Sequence, residues 1–313
     1  PSAGEIHYGG QRIDNLIRHP NFSRYMLKGS FDDALELDLT HNGEQVLEFR
    51  VMPYAQSQIM MVVRDITRLK QLEQMRKDFV ANVSHELRTP LTVVTGYLEM
   101  MDADNMPPPA MWHKAHGTMI DQCERMDSLV NQLLSLSRIE GARKHDNDKP
   151  VNVPKMLELI HTEAQSLNSD KNHTLVFEVD PELDVLGAAE ELRSAFSNLV
   201  FNAVHYTPAE GEITVRWQLE DGQAHFSVTD NGDGIAPEHL NRLTERFYRV
   251  DKARSRKTGG SGLGLAITKH VLSRHDSSLH IDSKVGEGSC FWFAFGPSWI
   301  VTNQQNAQLS AKS

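Results

Sequence analysis

Between Ile66 and Leu98 an apolar side chain recurs every three or four residues: Ile66, Leu69, Leu72, Met75, Phe79, Val83, Leu87, Leu91, Val94 and Leu98. That spacing is the stripe of an amphipathic helix. The stretch "DNMPPPA" breaks it, and a second stripe follows through Met119, Cys123, Met126, Val130, Leu133 and Ser137. Two long helices with a short connection form an antiparallel hairpin. One stripe on each is too little to bury alone, so two hairpins are expected to pair as a dimeric four-helix bundle over residues 67–141. Cys123 lies on the stripe and is expected in that core, as a small hydrophobe. Pro90 is out of place. It removes the backbone bond to the Glu86 carbonyl and kinks a helix at a cost of ~3 kcal/mol, one turn after His85. A chain that needed only a rod would have no use for it.

The flanks obey other rules. Residues 1–66 hold a helical stretch, "IDNLIRHPNFSRYM", and three strand patterns, two of them joined through the hairpin signal Asn42-Gly43. Together they make part of a sheet domain. Residues 142–152 are polar and charged and read as a linker. In 153–297, helical patterns at 153–168 and 189–204 alternate with strands at 174–179, 212–219, 223–230, 278–283 and 289–296. That segment is a separate α/β domain. Residues 298–313, rich in Asn, Gln and Ser, are expected to be a disordered tail. The fold class is therefore multidomain α+β. A net charge of −10 argues against direct nucleic-acid binding. Two cysteines cannot build a disulfide framework, which fits a reducing compartment. No apolar run reaches the ~18 residues needed to span a bilayer. The first residue is Pro1, so the chain reads as a piece of something longer.

Four segments of the α/β domain carry the chemistry. "NLVFNAVHYTP" puts Asn198 and Asn202 on one helix face, "DNGDGI" starts at Asp230 at a strand end, "ERFYRVDKARSRK" gathers basic residues, and "GGSGLGLAITKHV" runs glycines into a helix. Each taken alone has a bland reading, as a cap, a turn, a solvated face or a flexible loop. Together they supply the needs of a bound nucleoside triphosphate. Gly260, Gly262 and Gly264 let backbone N–H groups approach phosphate oxygens at the positive end of a helix. The spacing fits neither the dinucleotide fingerprint nor a P-loop. The basic run Arg246, Arg249, Lys252, Arg254, Arg256 and Lys257 offers charge-assisted bonds to the polyphosphate. The Asn202 side-chain oxygen is a hard ligand suited to Mg²⁺. Asp230 is an acceptor suited to the exocyclic amine of adenine over guanine, so the expected ligand set is ATP with Mg²⁺.

These motifs closely resemble the ATP-binding domain of sensor histidine kinases, related to gyrase, Hsp90 and MutL ATPases. The N box is Asn198–Pro208, and the first glycine box, Asp230–Gly234, includes Gly232. The F box is Arg246–Arg249, and the second glycine box, Gly260–Gly264, includes Leu263. The resemblance implies an α/β sandwich of three helices on a mixed sheet, with a lid over roughly 236–259. One departure is visible, His205 where the family often has lysine. "FVANVSHELRTPL" is similar to the phosphotransfer box of the same kinases. It implies His85 as phosphoacceptor, Glu86 as general base and Thr89 in a phosphatase role. Residues 1–66 resemble the C-terminal part of a PAS sensor domain. The stretch "RLTERFYRVDKARSRKTGGSGLGLAI" is similar to family members of the phosphate regulon. The family implies a homodimer and a response-regulator partner that is a DNA-binding transcription factor. It also implies a membrane anchor in the full-length protein, which makes this chain the cytoplasmic portion of an inner-membrane protein. Two other readings stay open: an ATPase clamp of the same superfamily, and a non-catalytic signalling scaffold.

Overall fold

The computed structural model describes residues 13, 17–40, 45–54, 58–101, 108–141, 148–250 and 260–301. It divides into two compact units, 1–84 and 85–313. The Asn42-Gly43 turn, the lid cations Lys252 and Arg254, and most of the inter-helix turn lie outside the described residues.

In the first unit, helix α1 (Pro20–Lys28) opens on His19, whose Nδ1 accepts from the Asn21 N–H, with Pro20 at the first turn. Such a proline loses nothing there, because its missing N–H would have had no helical partner. Gly29 ends α1 at φ 67°, a left-handed position that glycine adopts without a Cβ clash. Three antiparallel strands come next, β1 (Leu35–Asp38), β2 (Val46–Tyr54) and β3 (Gln58–Asp65), in the order β1-β2-β3. Phe22 of α1 meets Phe49 of β2 edge to face at 5.3 Å, and with Leu37 they form a fully buried cluster. Two bonds tie the sheet to the first turn of the next helix: the Ile66 N–H donates to the Val46 carbonyl, and Thr67 Oγ1 accepts from the Val46 N–H.

Helix α2 (Thr67–Glu99) is continuous through Pro90, without a break at the proline. Helix α3 (Pro109–Gly141) comes after it. Its buried residues are Ala115, Leu129, Leu136 and Ile139, a seam displaced from the expected stripe. Cys123 is exposed, not core. It lies with Ile120, Val130 and Leu134 on surface that a single chain leaves open.

The rest of the second unit is the α/β domain. Its main sheet has the order β5-β7-β8-β10-β9, made by β5 (Thr174–Val179), β7 (Glu212–Glu220), β8 (Gln223–Asp230), β9 (His280–Lys284) and β10 (Gly288–Phe295). Only the β5–β7 pair is parallel. Along β7, Ile213, Val215 and Trp217 are buried while Arg216 is exposed, so one face of the sheet is apolar and the other polar. Helices α4 (Val153–Leu167), α5 (Ala189–Tyr206) and α7 (Gly264–Arg274) make the second layer, with a four-residue helix α6 (Pro237–Leu240) between β8 and α7. Phe196 of α5 locks the layers, with its ring edge-on to Trp217, Phe226 and Phe293 at 5.6, 4.4 and 5.3 Å. Truncating such a residue to alanine costs about 3–5 kcal/mol.

A small second sheet, β11-β6-β4, has no counterpart in the sequence pattern. Its strands are β4 (Lys149–Val151), inside the expected linker, β6 (Asp184–Gly187) and β11 (Ile300–Val301). The ordered domain therefore runs past the expected end at 297, because Trp299 and Val301 are buried against it. No helix among the described residues is long and apolar enough to cross a membrane.

Candidate functional site

Helix α5 is the axis of the site, and two glycine segments lie against it or its end. The Asn198 amide donates to the Gly264 carbonyl at 3.2 Å, tying α5 to the first residue of α7. A Cβ on Gly264 would stand 3.2 Å from Asn198 Oδ1, tight enough to push that side chain aside. One on Gly260 would stand 3.1 Å from the Tyr206 hydroxyl, and one on Gly232 would meet Asp230 Oδ1 at 2.8 Å, with Thr207 and Pro208 at ordinary contact distance. Gly260 and Gly264 thus mark close approaches of backbone to the N-box helix, and Gly232 a close approach to the Asp230 carboxylate. Asn202 is half-buried, one turn after Asn198 on the same face.

Two further glycines are fixed by backbone shape. Gly234 has φ 67°, and a Cβ there would fall 2.0 Å from the Lys284 carbonyl oxygen. Gly262 has φ 75° and lies under Phe247, whose N–H donates to the Gly262 carbonyl. That bond joins the F box to the second glycine box. Leu263, between Gly262 and Gly264, is fully buried and anchors the start of α7.

Asp230 ends β8 and accepts from the Gly232 N–H at 2.9 Å. Burial pushes its carboxyl above the usual carboxylate range, against the backbone bonds from Gly232 and Ser289. An acceptor held in a dry, partly desolvated position bonds an amine donor more strongly than one in water.

The end of α5 has a device that no sequence pattern discloses. Lys171, between α4 and β5, sends its ammonium to the carbonyls of Val204, His205 and Thr207 at 3.1, 2.6 and 2.9 Å. A cation there satisfies the last carbonyls and the negative end of the helix. His205 is held below the ordinary histidine range, first by burial and then by Lys171. At neutral pH it is uncharged and brings no positive charge to a phosphate.

On the helical hairpin, His85 is exposed, and the Thr89 hydroxyl donates to its backbone carbonyl at 3.1 Å. Glu86 is half-buried between two guanidinium groups. Arg125 Nη2 on α3 is 3.5 Å from Glu86 Oε2, and Arg249 Nη1 is 3.8 Å from Oε1. Arg249, expected on the polyphosphate, is 7% exposed and lies beside Glu86. Other contacts join the hairpin to the α/β domain: the Ser261 hydroxyl donates to Gln132 Oε1 at 2.5 Å, and Arg246 pairs with Glu140, which also faces His270 at 3.2 Å. A cleft of about 730 Å³ separates α3 from Ser194, Asn198 and Ile267.

Among the described residues no group of three or more His, Cys, Asp or Glu could hold a metal ion.

Comparison with known proteins gives two family matches. Residues 187–298 match the histidine kinase-, DNA gyrase B- and HSP90-like ATPase family, and residues 75–142 the His Kinase A (phospho-acceptor) domain. The chain is 48% identical over 301 residues to the phosphate regulon sensor protein PhoR of Pseudomonas aeruginosa, covering 96% of this chain and 68% of that protein. Among solved structures, full-length ShkA in complex with AMPPNP superposes with a TM-score of 0.52 at 28% identity, covering 74% of this chain and 46% of that one. Histidine kinase ThkA in complex with the response regulator protein TrrA shares the fold, with a TM-score of 0.55 at 19% identity over 91% of this chain and 86% of that one.

Proposed function

This chain belongs to the sensor histidine kinases, the ATP-dependent protein histidine kinases of two-component systems, and we propose that it phosphorylates itself on His85 and passes the phosphoryl group to an aspartate of a response regulator. The unprotonated nitrogen of a neutral imidazole attacks the γ-phosphorus, the bond to the ADP oxygen breaks, and Glu86 takes the proton from the other ring nitrogen. Asp230 takes the adenine amine, while Asn198 and the backbone of Gly260, Gly262 and Gly264 surround the phosphates. Lys252 and Arg254 supply the lid's positive charge, while Arg249 lies beside Glu86. Mg²⁺ on Asn202 would neutralise charge on the transferring phosphoryl group. Thr89 orients the water that hydrolyses the regulator's phosphoaspartate.

The observation that most supports this reading is the close approach of Gly260 and Gly264 to Tyr206 and Asn198 of one helix, with Gly232 packed on Thr207 at that helix's end. The likeness to PhoR supports a role in the response to phosphate limitation, with a DNA-binding regulator as partner. The open apolar residues Ile120, Val130 and Leu134 support pairing of two hairpins in a homodimeric four-helix bundle. Residues 1–66 act, in this proposal, as part of a PAS sensor attached to an inner-membrane anchor. The test is transfer: chain labelled from γ-labelled ATP is freed of nucleotide and mixed with the receiver domain of a phosphate-responsive regulator. Label should leave the kinase and appear on the receiver's aspartate. Label that stays on the kinase would overturn the assignment of partner.

A further inference from the structure

Glu86 raises a difficulty that helix geometry alone does not solve. Side chains at i and i+1 point about 100° apart on a helix and do not face one another. A carboxylate that is to take a proton from its neighbour's imidazole therefore needs something outside α2 to fix its direction. Helix α3 supplies that group. Arg125 is 39 residues away in sequence, yet its Nη2 approaches Glu86 Oε2 to 3.5 Å, and both side chains are largely withdrawn from solvent, at 25% and 30% exposure. The other carboxylate oxygen, Oε1, faces Arg249 of the α/β domain at 3.8 Å. One guanidinium thus addresses each oxygen.

The two arginines differ in where they are carried. Arg249 belongs to the α/β domain, in the F box, and reaches Glu86 only while that domain is docked against the hairpin. Arg125 belongs to the hairpin itself, on α3, so its link to Glu86 lies within one helical pair. The geometry assigns Arg125 as the positioning residue for Glu86: it holds the carboxylate in one orientation beside His85 and touches neither nucleotide nor phosphoryl group. This rests on the reading of His85 as acceptor and Glu86 as base. A guanidinium fork is suited to the task, because its planar donors fix direction as well as charge, and a lysine ammonium fixes only charge.

The test is steady-state autophosphorylation of the full chain at varied ATP, for wild type, Arg125→Ala, Arg125→Lys, Glu86→Gln and the double variant Arg125→Ala/Glu86→Gln. Arg125→Ala should lower the maximal rate by about 10- to 100-fold, the effect of losing one charge-assisted hydrogen bond that orients a reacting group. The ATP concentration at half-maximal rate should stay within about twofold, because Arg125 is not at the nucleotide. Arg125→Lys should recover part of the rate. The double variant should be no slower than Glu86→Gln alone, since a group that acts through Glu86 has nothing left to act on. A wild-type rate in Arg125→Ala, or full additivity in the double variant, overturns the proposal while leaving Glu86 as base. A wild-type rate in Glu86→Gln overturns both. If Arg125→Ala fails to fold, Arg125→Lys carries the test: a rate as low as that of Glu86→Gln, or an altered ATP requirement, overturns the positioning role.

Discussion

Replacing Lys171 by methionine keeps the stem and removes the ammonium, so it isolates what that charge does at the end of α5. Three carbonyls lose their donor at once, those of Val204, His205 and Thr207. A single hydrogen bond to a charged group contributes roughly 1.5–3 kcal/mol, and a cation at a helix C-terminus about 0.3–2 kcal/mol. The three bonds share one ammonium and do not add in full, and water can reach part of this half-buried site. A loss of about 2–4 kcal/mol is expected. For a domain of this size that lowers the melting temperature by about 4–16 °C, readable by circular dichroism. The same substitution has an electrostatic signature. His205 is held low by burial first and Lys171 second, so without Lys171 its titration, followed by NMR of the imidazole, should move up yet stay below the ordinary value. A depressed histidine favours the fold above its unfolded pKa and loses that contribution as pH falls through the folded value, so the variant's acid sensitivity from this group should shrink. Unchanged melting together with an unmoved His205 would refute the capping role.

Asp230→Asn should weaken binding of a fluorescent ATP analogue by about 10- to 150-fold while leaving the nucleotide-free fold as stable or more so. Its raised pKa means that ionisation costs the fold stability as pH rises through the folded value, and asparagine avoids that cost; unchanged affinity would refute the adenine assignment. Wild-type affinity should also fall on acidification at a higher pH than an ordinary carboxylate would give, and a flat profile across that range would count against Asp230. Thr89→Ala should keep most autophosphorylation but lose dephosphorylation of a separately phosphorylated regulator in the presence of ADP, with decay at the wild-type rate as the contrary result.

The α/β domain is largely legible in the sequence because its strands alternate cleanly and its helices carry full apolar faces. The pairing of β7 with β8, closed by Asp221 and Gly222, can be read from the sequence alone. The small sheet is not legible: strands of two to four residues, such as Ile300–Val301, are too short for any period to show. On α3 the stripe through Cys123 and Val130 lies one position away from the buried seam at Ala115, Leu129 and Leu136. The seam of a single chain is decided by what α3 meets, including α7, and the apolar side chains left outside it are those a second hairpin would cover. At the site, the asparagines, Asp230 and the glycines stand out by residue type and order, because few residues other than glycine tolerate such close backbone approach. Lys171 and Arg125 do not. Their partners lie 33–36 and 39 residues away, and nothing local to either residue distinguishes it from a solvated surface cation.

The central claim is that His85 takes the γ-phosphoryl group of ATP. The direct measurement is incubation of wild type and His85→Ala with γ-labelled ATP, followed by treatment of the labelled protein with acid and with alkali. The account predicts label on wild type that is lost in acid and kept in alkali, as a phosphorus–nitrogen bond requires. It predicts no label on His85→Ala, whose affinity for the ATP analogue should equal that of wild type. Label on His85→Ala at the wild-type level, or label on wild type that survives acid, would contradict it.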